Sequence, residues 1–274
     1  MHRLVLTLHA LLFVLFTVLT QIGGVAYLIG LLGGSAARLL RARPPFCQVS
    51  VVAVACAAYV VMTVFMVPLL AASMGRVRLP CSTAGDRTVV AATRLTCALN
   101  RGYVRPEVRD LIMDLGAETT RRFPGSKVTT LEGNLPLING FPLLPHLSHR
   151  DGKKVDIAFF YRNAADDSVI PNGSPSWLGY FIYEQPRPGE ATPCKDRWTP
   201  LRWNFQGLQP EPPSWRLDEE RTAWVLNWLK SDPHVDRIFI EPHLVQRLGV
   251  AGGKVRFQGC QAARHDDHIH VQIR

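Results

Sequence analysis

The chain has 274 residues, 47% of them hydrophobic, and a formal net charge of +9, with nine histidines and six cysteines. That length suggests one or two folded units. Residues 1–78 contain no Asp or Glu and six of the 31 basic residues, leaving 25 basic against 22 acidic side chains in the rest, so the charge supplies no concentrated basic face of the kind a nucleic-acid-binding domain uses.

Two apolar runs fill the first quarter. Leu4 to Leu32 is interrupted only by weakly polar residues such as His9, Gln21 and the Gly23-Gly24 pair, and Val51 to Met74 holds no charge. Each exceeds the roughly 20 residues that cross a bilayer core. The expectation is a two-helix transmembrane hairpin over 4–32 and 51–74, with a folded domain over 79–274. Buried core helices are the bland alternative, but soluble helices rarely run so long without a charge. The connecting segment carries Arg38, Arg41 and Arg43, which by the positive-inside rule places it in the cytoplasm and the domain outside. Arg76 and Arg78, at the far end of the second run, weigh against that orientation. A cleavable signal peptide is the competing reading of the first run, and it would leave the domain inside the cell.

Cys47 and Cys56 lie in or beside the membrane section, whereas Cys81, Cys97, Cys194 and Cys260 fall in the soluble part. Four cysteines permit three pairings; disulfides and free buried thiols both fit. No Cys-x-x-Cys pair occurs, so a cysteine zinc knuckle is unsupported.

In the soluble part, residues 79–100 read as a partly helical entry segment. A helix is expected from Pro106 to about Arg121, because Pro suits a first helical position and Val108, Leu111, Ile112 and Leu115 form a buried stripe. Strands come next at 127–131 and, after the Asp151-Gly152 turn, at 153–161. From Arg162 to Pro213 nine prolines interleave with Trp177, Trp198 and Trp203, which predicts loops with short strands such as 180–183, serving as a connector or as a substrate-contacting insert. Asp218 caps a helix to about Lys230; a strand at 234–240, a short helix ending near Leu248, "VRF" and a C-terminal strand complete the order. Helices and strands mix without regular alternation, so the expected fold is α+β, a mainly antiparallel sheet with flanking helices.

The sequence "HDDHIHVQIR" at 265–274 holds three of the nine histidines. In a strand, alternate side chains share a face: Ile269, Val271 and Ile273 would pack on the core, and His268, His270 and Gln272 would point the other way. Two imidazoles on one rigid face can reach one metal ion, but a catalytic zinc usually takes three protein ligands. The segment "HLSHRDGKKVDIAFFY" (146–161) offers the rest, with His149 before a turn and Asp156 in the strand after it.

His149, Asp156 and the distant His268-Ile269-His270 together resemble the lysostaphin / D-alanyl-D-alanine metallopeptidase / hedgehog superfamily of zinc proteins. "SHRDGKKVDI", "HDDHIHV" and the intervening "VDRIFIEPHLVQRL" are most similar to the penicillin-insensitive murein endopeptidases. The likeness covers residues 100–274 and leaves out the membrane hairpin. It implies that His149, Asp156 and His270 bind Zn2+, that His268 is the catalytic histidine, and that His265 and His146 are secondary members of the site. The carboxypeptidase and dipeptidase branches place an acidic base three residues before the last ligand, which is Asp267 here; strand parity favours His268 unless the strand starts after Asp267. The resemblance further implies a zinc peptidase of the cytoplasmic membrane with a periplasmic or extracellular domain, hydrolysing peptidoglycan cross-links or related D-amino-acid peptides. A non-catalytic zinc-binding recognition module of the same fold is the alternative. Neither endopeptidase nor carboxypeptidase action is decided by these residues.

Overall fold

The computed structural model describes residues 2–39, 43–195 and 197–274; Arg41 of the expected basic loop lies outside them. The first apolar run does not form one continuous helix. It breaks at Gln21-Ile22 into α1 (His2–Thr20) and α2 (Gly23–Leu39), with Gln21 in the left-handed region at φ 65°. The two helices fold back on each other, Tyr27 meeting His9 and Phe16. After α3 (Pro44–Val61), a single π-helical turn at Met62–Met66 leads without a break into α4 (Val67–Ser73). Glycine makes the α2–α3 contact possible: a Cβ on Gly30 would come within 2.7 Å of Ala55 Cβ, and one on Gly34 within 2.2 Å of a Val51 methyl. Small residues four apart are the usual device for close helix approach in lipid. Two helices, Arg3–Thr20 and Phe46–Ser73, are long and apolar enough to cross a membrane.

The helices and the domain are clasped by hydrogen bonds. Gln21 Oε1 accepts from the amides of Leu137 (2.7 Å) and Ile138 (3.4 Å). Tyr59 donates to the Ala98 carbonyl at 2.6 Å, and Asn100 donates to Thr63 at 3.1 Å. Arg76 is 2% exposed and spends its guanidinium on the Leu135 carbonyl and on Asn139. It is therefore a structural tie rather than a free charge flanking a span.

The domain is built on a six-stranded sheet. Its strands are β2 (Val89–Ala91), β4 (Val128–Thr130), β5 (Lys154–Ala158), β8 (Val235–Phe239), β9 (Val255–Arg256) and β10 (His268–Ile273), in the order β2-β4-β5-β10-β8-β9. The pairs β4–β5, β5–β10 and β10–β8 are antiparallel, but β2–β4 and β8–β9 are parallel. The sheet is thus mixed, correcting the expectation of a mainly antiparallel one: antiparallel pairing holds the centre, and an entry strand and a short late strand add in parallel at the two edges. Small two-stranded pairs join β1 (Val77–Arg78) to β3 (Tyr103–Val104) and β6 (Tyr161–Asn163) to β7 (Trp215–Leu217). No strand forms at 180–183; that segment is turn and irregular chain, its polar groups committed to Asp156, Asp267 and Gln209 instead.

One face of the sheet carries the core. The helix α6 (Pro106–Arg122) brings Val108, Leu111, Ile112 and Leu115 against it, and α7 (Glu219–Ser231) brings Val225, Leu226 and Leu229. They meet Val155, Ile157, Ile238, Ile269 and Val271, all at 0% exposure. Gly116 lets α6 approach closely, since a Cβ there would stand 2.5 Å from Val89. Asp218 caps α7 by accepting from the Arg221 amide at 3.0 Å. The opposite face of β5 and β10 is polar, and the loops around it hold the candidate site.

Candidate metal centre

Alternation along β5 and β10 sets the chemistry. With Val155 and Ile157 turned into the core, Asp156 points to the other face; with Ile269 and Val271 turned in, His268 and His270 do the same. The β5–β10 register makes His270 the direct partner of Asp156 and His268 that of Ala158. A loop supplies His149, whose Nδ1 faces the Gly133 carbonyl at 2.5 Å. That bond places the proton on Nδ1 and leaves the Nε2 lone pair toward the centre.

The three groups converge. His149 Nε2 lies 3.2 Å from Asp156 Oδ1, His270 Nδ1 lies 3.0 Å from that oxygen, and the two nitrogens are 3.0 Å apart. Ligand atoms in a tetrahedron about 2.0–2.1 Å from a zinc ion stand about 3.3 Å from one another, so the triangle is close to the size of three ligand positions. The two oxygens of Asp156 are treated differently. Oδ2 accepts from Tyr180 at 2.9 Å and lies 3.2 Å from His146 Nδ1. Oδ1, by contrast, has no hydrogen-bond partner among the described residues, and neither do His268 Nε2 and His270 Nε2. A carboxylate held by one oxygen and bare at the other, surrounded by imidazole nitrogens, has the donor set that a cation would satisfy.

His146, His149 and Asp156, all buried, also present ligand atoms within 4.8 Å of one another and could hold a metal ion. The two triads share His149 and Asp156. His146 Nδ1, however, is divided between Asp156 Oδ2 and Glu132 Oε2, the latter at 3.3 Å. Its place is beside the ligand oxygen's partner rather than beside the bare oxygen.

His268 stands next to the triangle, its Nε2 3.6 Å from Asp156 Oδ1. Its Nδ1 lies 2.5 Å from Asp267 Oδ1, and the other oxygen of Asp267 accepts from the Phe181 amide at 2.6 Å. The strand begins at His268, so parity does not govern Asp267, which instead turns back to brace the histidine. His265, 2% exposed, packs tilted against His268 and edge-on to His270, with ring centroids 5.0 Å and 5.3 Å away.

Environment separates the imidazoles. Burial opposes charge on His268, but Asp156 and Asp267 outweigh it and raise its pKa to about 9. Burial prevails at His270, bringing it down to about 4 against the pull of Asp156. The same desolvation, with His268 as a like charge, holds His265 well below the usual histidine range. Burial would raise Asp156, yet His149, His268 and His146 hold it well below the ordinary carboxylate range. One strand therefore carries a proton-holding histidine and a neutral lone-pair donor two residues apart.

Two members of this cluster carry no signal in their sequence context. Tyr180 lies in the proline-rich segment, where its turn conformation brings the hydroxyl to Asp156. Glu132, 7% exposed, ties His146 to Arg101; no motif marks it. The four cysteines of the domain form Cys81–Cys97 and Cys194–Cys260 disulfides. Compared with known proteins, the chain matches no family model and no curated protein.

Proposed function

We propose that the protein is a membrane-anchored, zinc-dependent peptidase whose domain faces the outside of the cytoplasmic membrane and acts on peptidoglycan peptides or related D-amino-acid peptides. The observation that carries this reading is the triangle of His149 Nε2, Asp156 Oδ1 and His270 Nδ1, with the separately braced His268 beside it. His149, Asp156 and His270 would hold the ion. Zinc bound there supplies Lewis acidity toward a carbonyl oxygen and lowers the pKa of water to about 7.

The remaining chemistry belongs to the chain's own groups. His268, braced at Nδ1 by Asp267, presents Nε2 3.6 Å from Asp156 Oδ1, from where it can donate a proton to negative charge developing on a carbonyl oxygen or to a leaving amine. Asp267 fixes the ring by taking Nδ1–H. Tyr180 and His146 hold the second oxygen of Asp156 and so orient the first. Complete burial of Asp156, His268 and His270 strengthens these charge interactions.

Orientation is supported by charge and by redox chemistry. Arg3 at one end of α1, Arg38 in the last turn of α2 and Arg43 just beyond it would lie on one membrane side, with the Gln21 reversal and the domain on the other. Two disulfides suit an oxidising compartment. The recognition-module alternative shares the metal and lacks turnover. The deciding experiment incubates zinc-loaded full-length protein, alongside His268→Ala, with cross-linked muropeptides. Time-dependent loss of cross-links by the native chain alone supports the peptidase; zinc binding without turnover would leave the recognition module.

A further inference from the structure

The reversal between α1 and α2 is closed off by the domain. Thr20, Gln21, Ile22, Gly23 and Gly24 are all buried, and Ile22 packs with Val67, Ala71 and Tyr103. The Gln21 side chain is spent on the Leu137 and Ile138 amides. Non-helical backbone at membrane depth is tolerated only where protein covers it in this way. The long helix that follows points to the same depth. Phe46–Ser73 runs 28 residues, about 42 Å at 1.5 Å per residue, against a hydrocarbon core of about 30 Å and a full bilayer of about 40–45 Å. The domain meets this helix well before its end. Tyr59 and Thr63, roughly 15–20 Å short of Ser73 along the axis, already bond to Ala98 and Asn100. Thr63, Val67 and Ala71 are buried at a spacing of four residues, which is the helix face turned to the domain.

The face turned the other way is apolar. Val64, Phe65, Met66, Leu69 and Leu70 are 47% to 74% exposed, and no charge occurs between Arg43 and Arg76. Left in water, these side chains would forfeit the free energy of burial. Lipid fits them better than a partner helix does. Helix contact within this bundle uses small residues, Gly30 and Gly34 against Ala55 and Val51, whereas this face offers large, flexible ones. The domain's own surface continues it. Ile138 is 53% exposed beside the Gln21 contact, and Leu95, in the short helix α5 (Arg94–Ala98), is 46% exposed one turn before Ala98. Arg94, exposed next to Leu95, has a stem long enough to carry its charge to lipid headgroups. We propose that the domain is seated in the leaflet on its own side of the membrane, with the outward face of residues 64–74, Leu95 and Ile138 against phospholipid acyl chains. The proposal rests on the membrane-anchored reading and fixes its depth: the domain lies in the bilayer surface rather than on a stalk above it.

The test uses full-length protein in nanodiscs of phosphatidylcholine and phosphatidylglycerol, with or without nitroxide-labelled acyl chains. Cys47→Ser with Cys56→Ser leaves the two disulfides and no free thiol. One thiol-reactive fluorophore is then placed by Leu69→Cys or Ile138→Cys, by Val52→Cys within α3, or by Ala165→Cys on the exposed turn after β6. Nitroxide lipid should quench the labels at positions 69, 138 and 52, and iodide in the buffer should spare them; the label at 165 should do the opposite. Quenching at 69 or at 138 by iodide alone overturns the proposal, because that surface then lies in water. Protection at 69 from both agents overturns it too, and assigns the face to a second copy or another membrane protein. If the label at 52 also escapes the nitroxide, the membrane reading fails as well. If only the label at 52 is quenched by lipid, the span stands and the seat of the domain in the leaflet fails by itself.

Discussion

His270 and Asp156 face each other across the β5–β10 ladder, and their Nδ1 and Oδ1 atoms stand 3.0 Å apart. This single pairing in the register joins two segments more than a hundred residues apart into one donor set. A shift of one residue would turn either side chain into the core. Packing of Ile157, Ile269 and Val271 at 0% exposure resists that shift. The hydrophobic face of the sheet thus fixes the polar one.

Purified full-length protein is expected to hold about one zinc per chain by elemental analysis. His149→Ala, Asp156→Ala and His270→Ala should each remove it. His146→Ala should retain zinc with affinity lowered about 10–100-fold, as for a partner that only orients a ligand. Loss of zinc in His146→Ala with retention in His270→Ala would instead select the His146, His149, Asp156 triad.

His268→Ala and Asp267→Asn are expected to keep the metal and to differ in turnover. Removing the imidazole should lower kcat about 10²–10⁴-fold, the usual contribution of a positioned proton donor. Asp267→Asn, which leaves the ring in place but loosens its orientation, should cost less. Near-normal kcat in His268→Ala with loss in Asp267→Asn would make Asp267 the working group.

Asp218 anchors the start of α7 and also meets Arg221 Nε at 2.8 Å and Arg162 Nε at 2.6 Å. Since Arg221 is 1% exposed, Asp218→Ala should destabilise the domain by about 3–5 kcal/mol, read as a drop in denaturation midpoint. Burial pushes the Asp218 carboxyl up, but the Arg221 amide and guanidinium, with Arg162, hold it below the ordinary value. A depressed folded pKa contributes stability that is fully present above the unfolded value of about 3.9 and is lost as pH falls through the folded one. The native and Asp218→Ala midpoints should therefore converge only in strong acid.

The disulfides predict that four of the six cysteines alkylate only after reduction, read by mass. Cys194–Cys260 closes a separation of 66 residues and Cys81–Cys97 one of 16. On chain-entropy grounds they are worth about 4 and about 3 kcal/mol. Cys194→Ser with Cys260→Ser should lower the midpoint more than the other pair.

A reporter after Arg274 should be active if it needs export and dark if it needs the cytoplasm. A labelling cysteine placed near Arg38 should react only from the cytoplasmic side. The reverse pattern would put the domain inside and remove the wall as its substrate.

Where an element's pattern is local, the sequence is enough to place it. The α6 stripe, the Asp218 cap and the inward set Ile269, Val271 and Ile273 each depend on residues a turn or a strand apart, and each forms where the periodicity places it. The first apolar run reads as one span and folds as two helices, because hydropathy carries no signal for the reversal at Gln21-Ile22 that Gln21 secures through Leu137 and Ile138. The mixed sheet is hidden for a related reason: parallel or antiparallel pairing at an edge depends on where distant segments dock, not on their own side chains.

By itself the sequence determined which residues could serve as ligands, since residue type and strand parity are local properties that put Asp156, His268 and His270 on polar faces. Only the tertiary structure decided that Asp156 offers one bare oxygen, that Tyr180 and His146 hold the other, and that Asp267 braces His268. Those relationships join residues from separate loops and strands through the register and the turn geometry, and contacts of that kind exist only once the chain has closed on its core.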